Sequence, residues 1–140
     1  MLSWRLASMS QPESNGVNGS PPTIYVVDDE QVLLDLAKAI LEPAGFAVLL
    51  FQDPQQALAQ YTAAHPPPHV LVTDYAMPGM NGMDLIRECK RLNPGQKTIL
   101  LSGTVDEDIY ADSPVRPDHF LAKPYQINKL VQVIRSLLAH

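Results

Sequence analysis

Val70-Leu71-Val72-Thr73-Asp74-Tyr75-Ala76-Met77-Pro78-Gly79-Met80-Asn81-Gly82 is an apolar run that ends in an acid and opens into a Pro/Gly loop. A short, unbroken β-branched and aliphatic run bounded by turn residues reads as a strand buried on both faces. Asp74 then stands at the carboxyl end of that strand. In open α/β sheets the crevice outside those ends is where ligands bind. A helical pattern follows from about Met83, with Asn81 as its cap and Leu85, Ile86, Cys89 and Leu92 on one face.

The same alternation extends in both directions. Upstream, Thr23-Ile24-Tyr25-Val26-Val27 is a buried strand that stops at Asp28-Asp29-Glu30. Val32, Leu33, Leu36, Ala37, Ile40 and Leu41 then recur at helical spacing, until Pro43 and Gly45 end the helix. Residues 46–51 are a second strand. Asp53-Pro54 opens a second helix, the acid as cap and the proline at the first helical position, and Pro66-Pro67-Pro68 closes it. Downstream, residues 97–101 form a fourth strand leading into Ser102-Gly103-Thr104. A short helix is expected at 105–112, because Pro114 and Pro117 forbid a long one. Residues 119–122 are a brief fifth strand before Lys123-Pro124. Ile127, Leu130, Val131, Ile134, Leu137 and Leu138 mark the last helix. Five βα units in succession imply an α/β fold, a doubly wound parallel sheet covered on both faces. Residues 23–140 form this one domain, and residues 1–22, without apolar period, are expected to be a disordered tail in which Trp4 has no partner.

Composition narrows the function. Apolar residues make up 46% of the 140 residues, as in a soluble globular protein. A net charge of -5 argues against a nucleic-acid or anionic-membrane surface. No run approaches the roughly 20 apolar residues of a membrane span. The single Cys89 reads as a buried core thiol, and a reducing cytoplasm is the expected compartment.

In a parallel sheet all strand ends share one edge. That rim collects Asp28 and Asp29 after the first strand, Asp74 after the third, Ser102 after the fourth and Lys123 after the fifth. A second strand at the outer edge leaves Gln52-Asp53 away from the crevice. Clustered carboxylates repel unless a cation intervenes, and Mg²⁺ takes such oxygen ligands together with phosphate. A lysine opposite completes a site for a phosphoryl group, for which an Asp carboxylate can act as nucleophile.

Residues 23–140 resemble the receiver domain of two-component response regulators. Four pieces carry the resemblance: Val26-Val27-Asp28-Asp29-Glu30, Asp74 with Met77-Pro78-Gly79-Met80-Asn81-Gly82, Ser102-Gly103, and Lys123-Pro124. It implies a flavodoxin-like (βα)5 fold with strand order 2-1-3-4-5. It implies that Asp74 is the phosphoacceptor, supplied by a sensor histidine kinase or a histidine phosphotransfer protein. Asp28, Asp29, Asp74 and the backbone carbonyl of Ala76 would hold Mg²⁺. Lys123 would pair with the phosphoryl oxygens, Ser102 would hydrogen-bond them on activation, and Phe120 falls where the family has a switch aromatic. The Lys123-Pro124 bond is usually cis in the family. Capping remains the plain alternative for Asp28 and Ser102, and core packing for Phe120.

The segment at 105–118 departs from the family, whose fourth helix is part of the surface that partners read; here it is expected to be broken, and mobile or matched to an unusual partner. With no output module after the last helix, the chain is expected to act as a stand-alone receiver, not a metabolic enzyme, with an unknown downstream protein partner and no direct contact with nucleic acid or membrane. A receiver fold kept only as an interaction module conflicts with the intact acidic pair, Asp74 and Lys123. A haloacid dehalogenase-type phosphatase would want Asp-x-Asp-x-Thr where Asp28-Asp29-Glu30-Gln31-Val32 stands, and an FMN carrier's phosphate would be repelled by those acids.

Overall fold

Strands β1 (Thr23–Val27), β2 (Ala47–Phe51), β3 (Val70–Asp74), β4 (Lys97–Ser102) and β5 (His119–Ala122) form one parallel sheet in the order β2-β1-β3-β4-β5. This is the expected order. The structure, a computed structural model, describes residues 19–103 and 110–139. Helices α1 (Gln31–Leu41), α2 (Pro54–Ala63), α3 (Gly82–Leu92) and α4 (Ile127–Leu138) connect and cover the strands. Most of the expected tail, with Trp4, and most of the short helix expected at 105–112 lie outside the described residues. Residues 110–118 are turn and bend.

The period-two alternation of the strands divides the core into two layers. Ile24, Val26, Val70, Val72, Ile99, Leu101 and Leu121 point to one face, where α1 contributes Leu34, Ala37 and Leu41, and α4 contributes Leu130, Val133 and Ile134. Tyr25, Val27, Leu71 and Leu100 point to the other, under Ala57 and Tyr61 of α2 and Met83, Leu85, Ile86 and Cys89 of α3. Every residue of β3 is buried, as its unbroken apolar run predicts.

Two helix faces differ from the reading of the periodicity. In α1 the core stripe is Leu34, Ala37 and Leu41, whereas Val32 is 75% and Leu36 43% exposed. Eight of the eleven residues of α1 are Val, Leu, Ile or Ala, so more than one stripe fits its sequence, and the crossing of the helix over the sheet selects between them. In α3, Leu92 lies in the last turn and is exposed at 43%. His119 is half-buried, and burial followed by the charge of Lys129 holds its imidazole below the usual histidine range.

The helix starts follow local chemistry. The Asp53 side chain accepts the N–H of Gln55 at 2.9 Å ahead of Pro54. Asn81 and Asp84 form a reciprocal capping box, Asn81 Oδ1 accepting the Asp84 N–H at 2.8 Å. Glu30 stands at the N-cap of α1 without a side-chain cap bond.

Cys89 is fully buried on α3, and burial pushes its thiol up to about 12. A thiol in that state is a poor nucleophile. A thiol reagent at pH 8 is expected to leave the native protein unlabelled and to label it once in denaturant. Rapid labelling of the native protein would contradict this burial.

Candidate functional site: an acidic pocket capped by lysine

Asp28 follows β1 directly and is buried. Its Oδ1 accepts the N–H of Glu30 at 2.9 Å, which fixes the carboxylate in the turn before α1. Its Oδ2 lies 3.1 Å from Lys123 Nζ. The carboxylate therefore combines turn formation with an ion pair; the capping reading and the site reading coexist. Asp29 is exposed, and its backbone carbonyl accepts a hydrogen bond from Gln52 Nε2 at 3.2 Å, tying the acidic turn to the end of β2.

Asp74 closes β3 and is buried, with Oδ1 3.1 Å from Lys123 Nζ. Its backbone is held on several sides. Thr73 Oγ1 donates to the Asp74 carbonyl at 3.0 Å, and Tyr75 N–H donates to Leu101 at 2.8 Å. The loop returns so closely that Gly82 N–H donates to the Tyr75 carbonyl at 2.9 Å. Gly79 takes φ of +85°, the left-handed turn that lets the loop reverse.

One carboxylate oxygen each from Asp28, Asp29 and Asp74 lie within 4.8 Å of one another. Three anionic oxygen donors at this spacing suit a hard divalent cation of the Mg²⁺ type. Burial holds the Asp74 carboxyl above the usual carboxylate range, and the charge of Asp28 adds to this against the opposing hydrogen bond from Lys123. For Lys123, burial opposes the charge, but the hydrogen bonds and charges of Asp74 and Asp28 outweigh it and hold the ammonium above its usual range. The pocket thus lacks positive charge: one ammonium faces three carboxylates, two of them buried.

The other predicted residues lie around this centre. Ser102 ends β4 and is buried, and its carbonyl accepts the Lys123 N–H at 2.7 Å. Phe120 is half-buried on β5 and packs against Tyr110, ring centroids 6.1 Å apart. Ala76 is exposed in the loop after Asp74. The Lys123-Pro124 peptide bond is cis, as the resemblance implies, and so is His65-Pro66, which nothing in the sequence announced.

Three participants were not found from the sequence. Tyr125 is half-buried near the pocket; burial raises its phenol first, and the charges of Lys123, Asp28 and Asp74 all reach it. Gln52 was set aside as lying away from the crevice, yet it braces the backbone of Asp29. Gly82 opens α3 against Asp74; a Cβ there would fall far inside contact distance of the Asp74 carbonyl oxygen and 2.9 Å from Leu100 Cδ1. Its position in the loop motif was the available signal. Among the described residues, every buried side-chain polar atom has a hydrogen-bond partner.

A parallel five-stranded sheet with three carboxylates and a lysine at its carboxyl edge defines an α/β domain with a site for a divalent cation and a phosphoryl group. The chain belongs to the response regulator receiver domain family, whose pattern matches residues 24–135. It is 33% identical over 122 residues to the probable transcriptional regulatory protein TcrX of Mycobacterium tuberculosis, covering 86% of this chain and 51% of that protein. The chain therefore spans about half the length of that relative. Among solved structures it resembles a response regulator receiver domain protein from Clostridium thermocellum, at 32% identity and a TM-score of 0.78, covering 84% of this chain and 94% of that one. It also resembles the BeF3-activated DrrB receiver domain, at 25% identity and a TM-score of 0.76, covering 86% and 99%. Receiver domains take phosphoryl groups from histidine kinases and bind Mg²⁺ at an acidic pocket. No helix among the described residues is long and apolar enough to cross a membrane.

Proposed function

We propose that this chain is a phosphoacceptor receiver working in the cytoplasm, in which Asp74 takes a phosphoryl group from a histidine kinase or a histidine phosphotransfer protein. The observation that carries this reading is the placement of Lys123 Nζ 3.1 Å from both Asp28 and Asp74, beside a cluster of three carboxylates. In the reaction an Asp74 carboxylate oxygen attacks phosphorus. The phosphorus–nitrogen bond of the donor phosphohistidine breaks, and its electron pair stays on the departing imidazole. Asp74 is left as an acyl phosphate. Asp28, Asp29 and Asp74, with the Ala76 carbonyl, would hold Mg²⁺, which when bound supplies charge neutralisation at the phosphoryl oxygens.

Lys123 is already aimed at the carboxylates, so it meets the transferred group without reorganisation. Ser102, at the end of the adjoining strand, hydrogen-bonds the new phosphoryl oxygens. Phe120 carries that change to the outer face of β5, towards a downstream protein partner. A cavity of about 390 Å³ lined by Leu33, Leu36, Lys123, Pro124 and Tyr125 adjoins the pocket. Its apolar wall, continued by exposed Val32, is the surface on which the donor docks. The exposed second stripe of α1 thereby gains a use.

Mg²⁺ with acetyl phosphate is expected to add one phosphoryl group to the intact mass, and Mg²⁺ with beryllium fluoride to change the tyrosine fluorescence. Mg²⁺ at a hundredfold excess over its dissociation constant should stabilise the fold by about 2.7 kcal/mol. A wild-type protein that shows neither labelling nor a Mg²⁺ effect on its urea midpoint would rule the reading out.

A further inference from the structure

The strand that carries Lys123 is poorly supported. It has four residues and, among the described residues, only β4 as a ladder neighbour, because it is the edge of the sheet. Pro117 and Pro124 bracket it, and neither can donate a backbone hydrogen bond. The preceding described residues, 110–118, are turn and bend rather than a helix that would press β5 onto its neighbour. Yet Lys123 must sit within about an ångström of its place to serve Asp74.

The far end of β5 supplies a clamp. Asp118 Oδ2 accepts three donors: Thr98 N–H at 2.8 Å, Lys90 Nζ at 3.0 Å and Thr98 Oγ1 at 3.2 Å. Asp118 N–H in turn donates to the Thr98 carbonyl at 3.0 Å. Lys90 also donates to the Gln96 carbonyl at 2.7 Å, and Gln96 Oε1 accepts the buried Tyr61 hydroxyl at 2.7 Å. The start of β5 is therefore fixed to β4, to the last turns of α3 and, through Gln96, to α2. The register that follows pairs His119 with Ile99 and Ala122 with Ser102, and the Lys123 N–H reaches the Ser102 carbonyl.

We infer that Asp118, held by Lys90 and Thr98, is a positioning residue for phosphotransfer: it sets the register of β5 and so the place of Lys123 at the opposite end of the strand. This rests on the phosphoacceptor reading above. Strand side chains alternate, so β5 can keep its inward face only by slipping two residues, which moves Lys123 about 6.6 Å. Smaller losses of register leave the ammonium misaligned. The carboxylates are carried by β1 and β3 and are indifferent to either change.

The test separates these two halves of the site. Asp118→Asn and Lys90→Met are each expected to slow labelling by acetyl phosphate at saturating Mg²⁺ by roughly tenfold to a hundredfold. The Mg²⁺ dissociation constant, read by tyrosine fluorescence, should stay within about twofold, and Lys90→Arg should restore the rate. In a Lys123→Gln background, Asp118→Asn should cost nothing further, because the group it positions is gone. NMR of the labelled lysine ε-carbons should show the Lys123 signal displaced in Asp118→Asn, a readout that holds even if no phosphoryl group is transferred. Wild-type protein that is not labelled would remove the phosphoacceptor reading alone. An unmoved Lys123 signal, an unchanged rate, a parallel loss of rate and Mg²⁺ affinity, or an additive loss with Lys123→Gln would overturn the positioning role.

Discussion

Asp74→Asn protein is expected to gain no phosphoryl group from acetyl phosphate and Mg²⁺, a fall in labelling rate of at least about a thousandfold, while remaining folded. The amide keeps the shape of the side chain but has no anionic oxygen to attack phosphorus. Substituting Asp29 removes only one carboxylate of the cluster and should weaken Mg²⁺ binding without abolishing labelling at high Mg²⁺. The same Asp74 variant is expected to be more stable than the wild type at pH 7 without Mg²⁺. Burial and the neighbouring Asp28 hold the Asp74 carboxyl above its ordinary range, so ionising it costs more in the folded chain than in the unfolded one. A group raised in this way contributes stability that is fully present below the unfolded carboxylate value, near 4, and is lost as pH rises through its folded value. The gap in urea midpoint should therefore be widest near neutrality, shrink as pH falls through the raised folded value towards about 4, and narrow when Mg²⁺ is added to the wild type. Labelling of Asp74→Asn would move the phosphoacceptor to another residue; a lower midpoint at pH 7 would contradict the charge conflict.

Gly82→Ala should produce the largest loss from a single methyl group. A Cβ at Gly82 meets the backbone carbonyl of Asp74, which cannot rotate away as a side chain would, and the Leu100 side chain behind it. Either α3 backs away from β3, breaking the Gly82–Tyr75 hydrogen bond, or the Asp74 turn shifts. Overpacking of this kind costs about 1–3 kcal/mol. Because the strained atom belongs to Asp74 itself, Mg²⁺ affinity should fall with stability, by roughly tenfold for a loss of one ligand's alignment. Gly79→Ala is the contrast. Gly79 has φ of +85° and open space around its Cβ, so its cost is conformational, about 1 kcal/mol, and is paid in the loop rather than at Asp74. Urea denaturation and Mg²⁺ titration of both variants decide the matter: equal Mg²⁺ affinity in Gly82→Ala and wild type would mean that α3 yields without disturbing the site.

Both substitutions bear on how the pocket is put together. Its charges come from the ends of three strands, but its precision comes from what those ends lean on. Gly82 sets the depth of Asp74, Gln52 braces Asp29, and the Asp118 clamp sets the reach of Lys123.

The amino-acid sequence by itself determined the five strands, their parallel arrangement, the residues at the carboxyl rim and the caps at Asp53 and Asn81, while the strand order came from the family resemblance. Each is written in neighbouring residues: period-two runs for strands, and an acid or amide before a helix. The strand-end rule then converts local pattern into shared location, so Asp28, Asp29, Asp74, Ser102 and Lys123 were legible from their places after strands. Tertiary structure alone decided the rest. Lys123 and Asp28 lie 95 residues apart, and their 3.1 Å contact depends on the register of an edge strand. Which stripe of α1 turns inward was settled by its crossing over the sheet, because its eight aliphatic residues allow more than one face. Asp118 precedes the fifth strand and Gly82 closes the loop motif after Asp74, but the sequence neighbours of neither name the atoms it meets. Periodicity is enforced by bonds between near neighbours, whereas register, helix placement and close backbone approach arise only when distant segments pack.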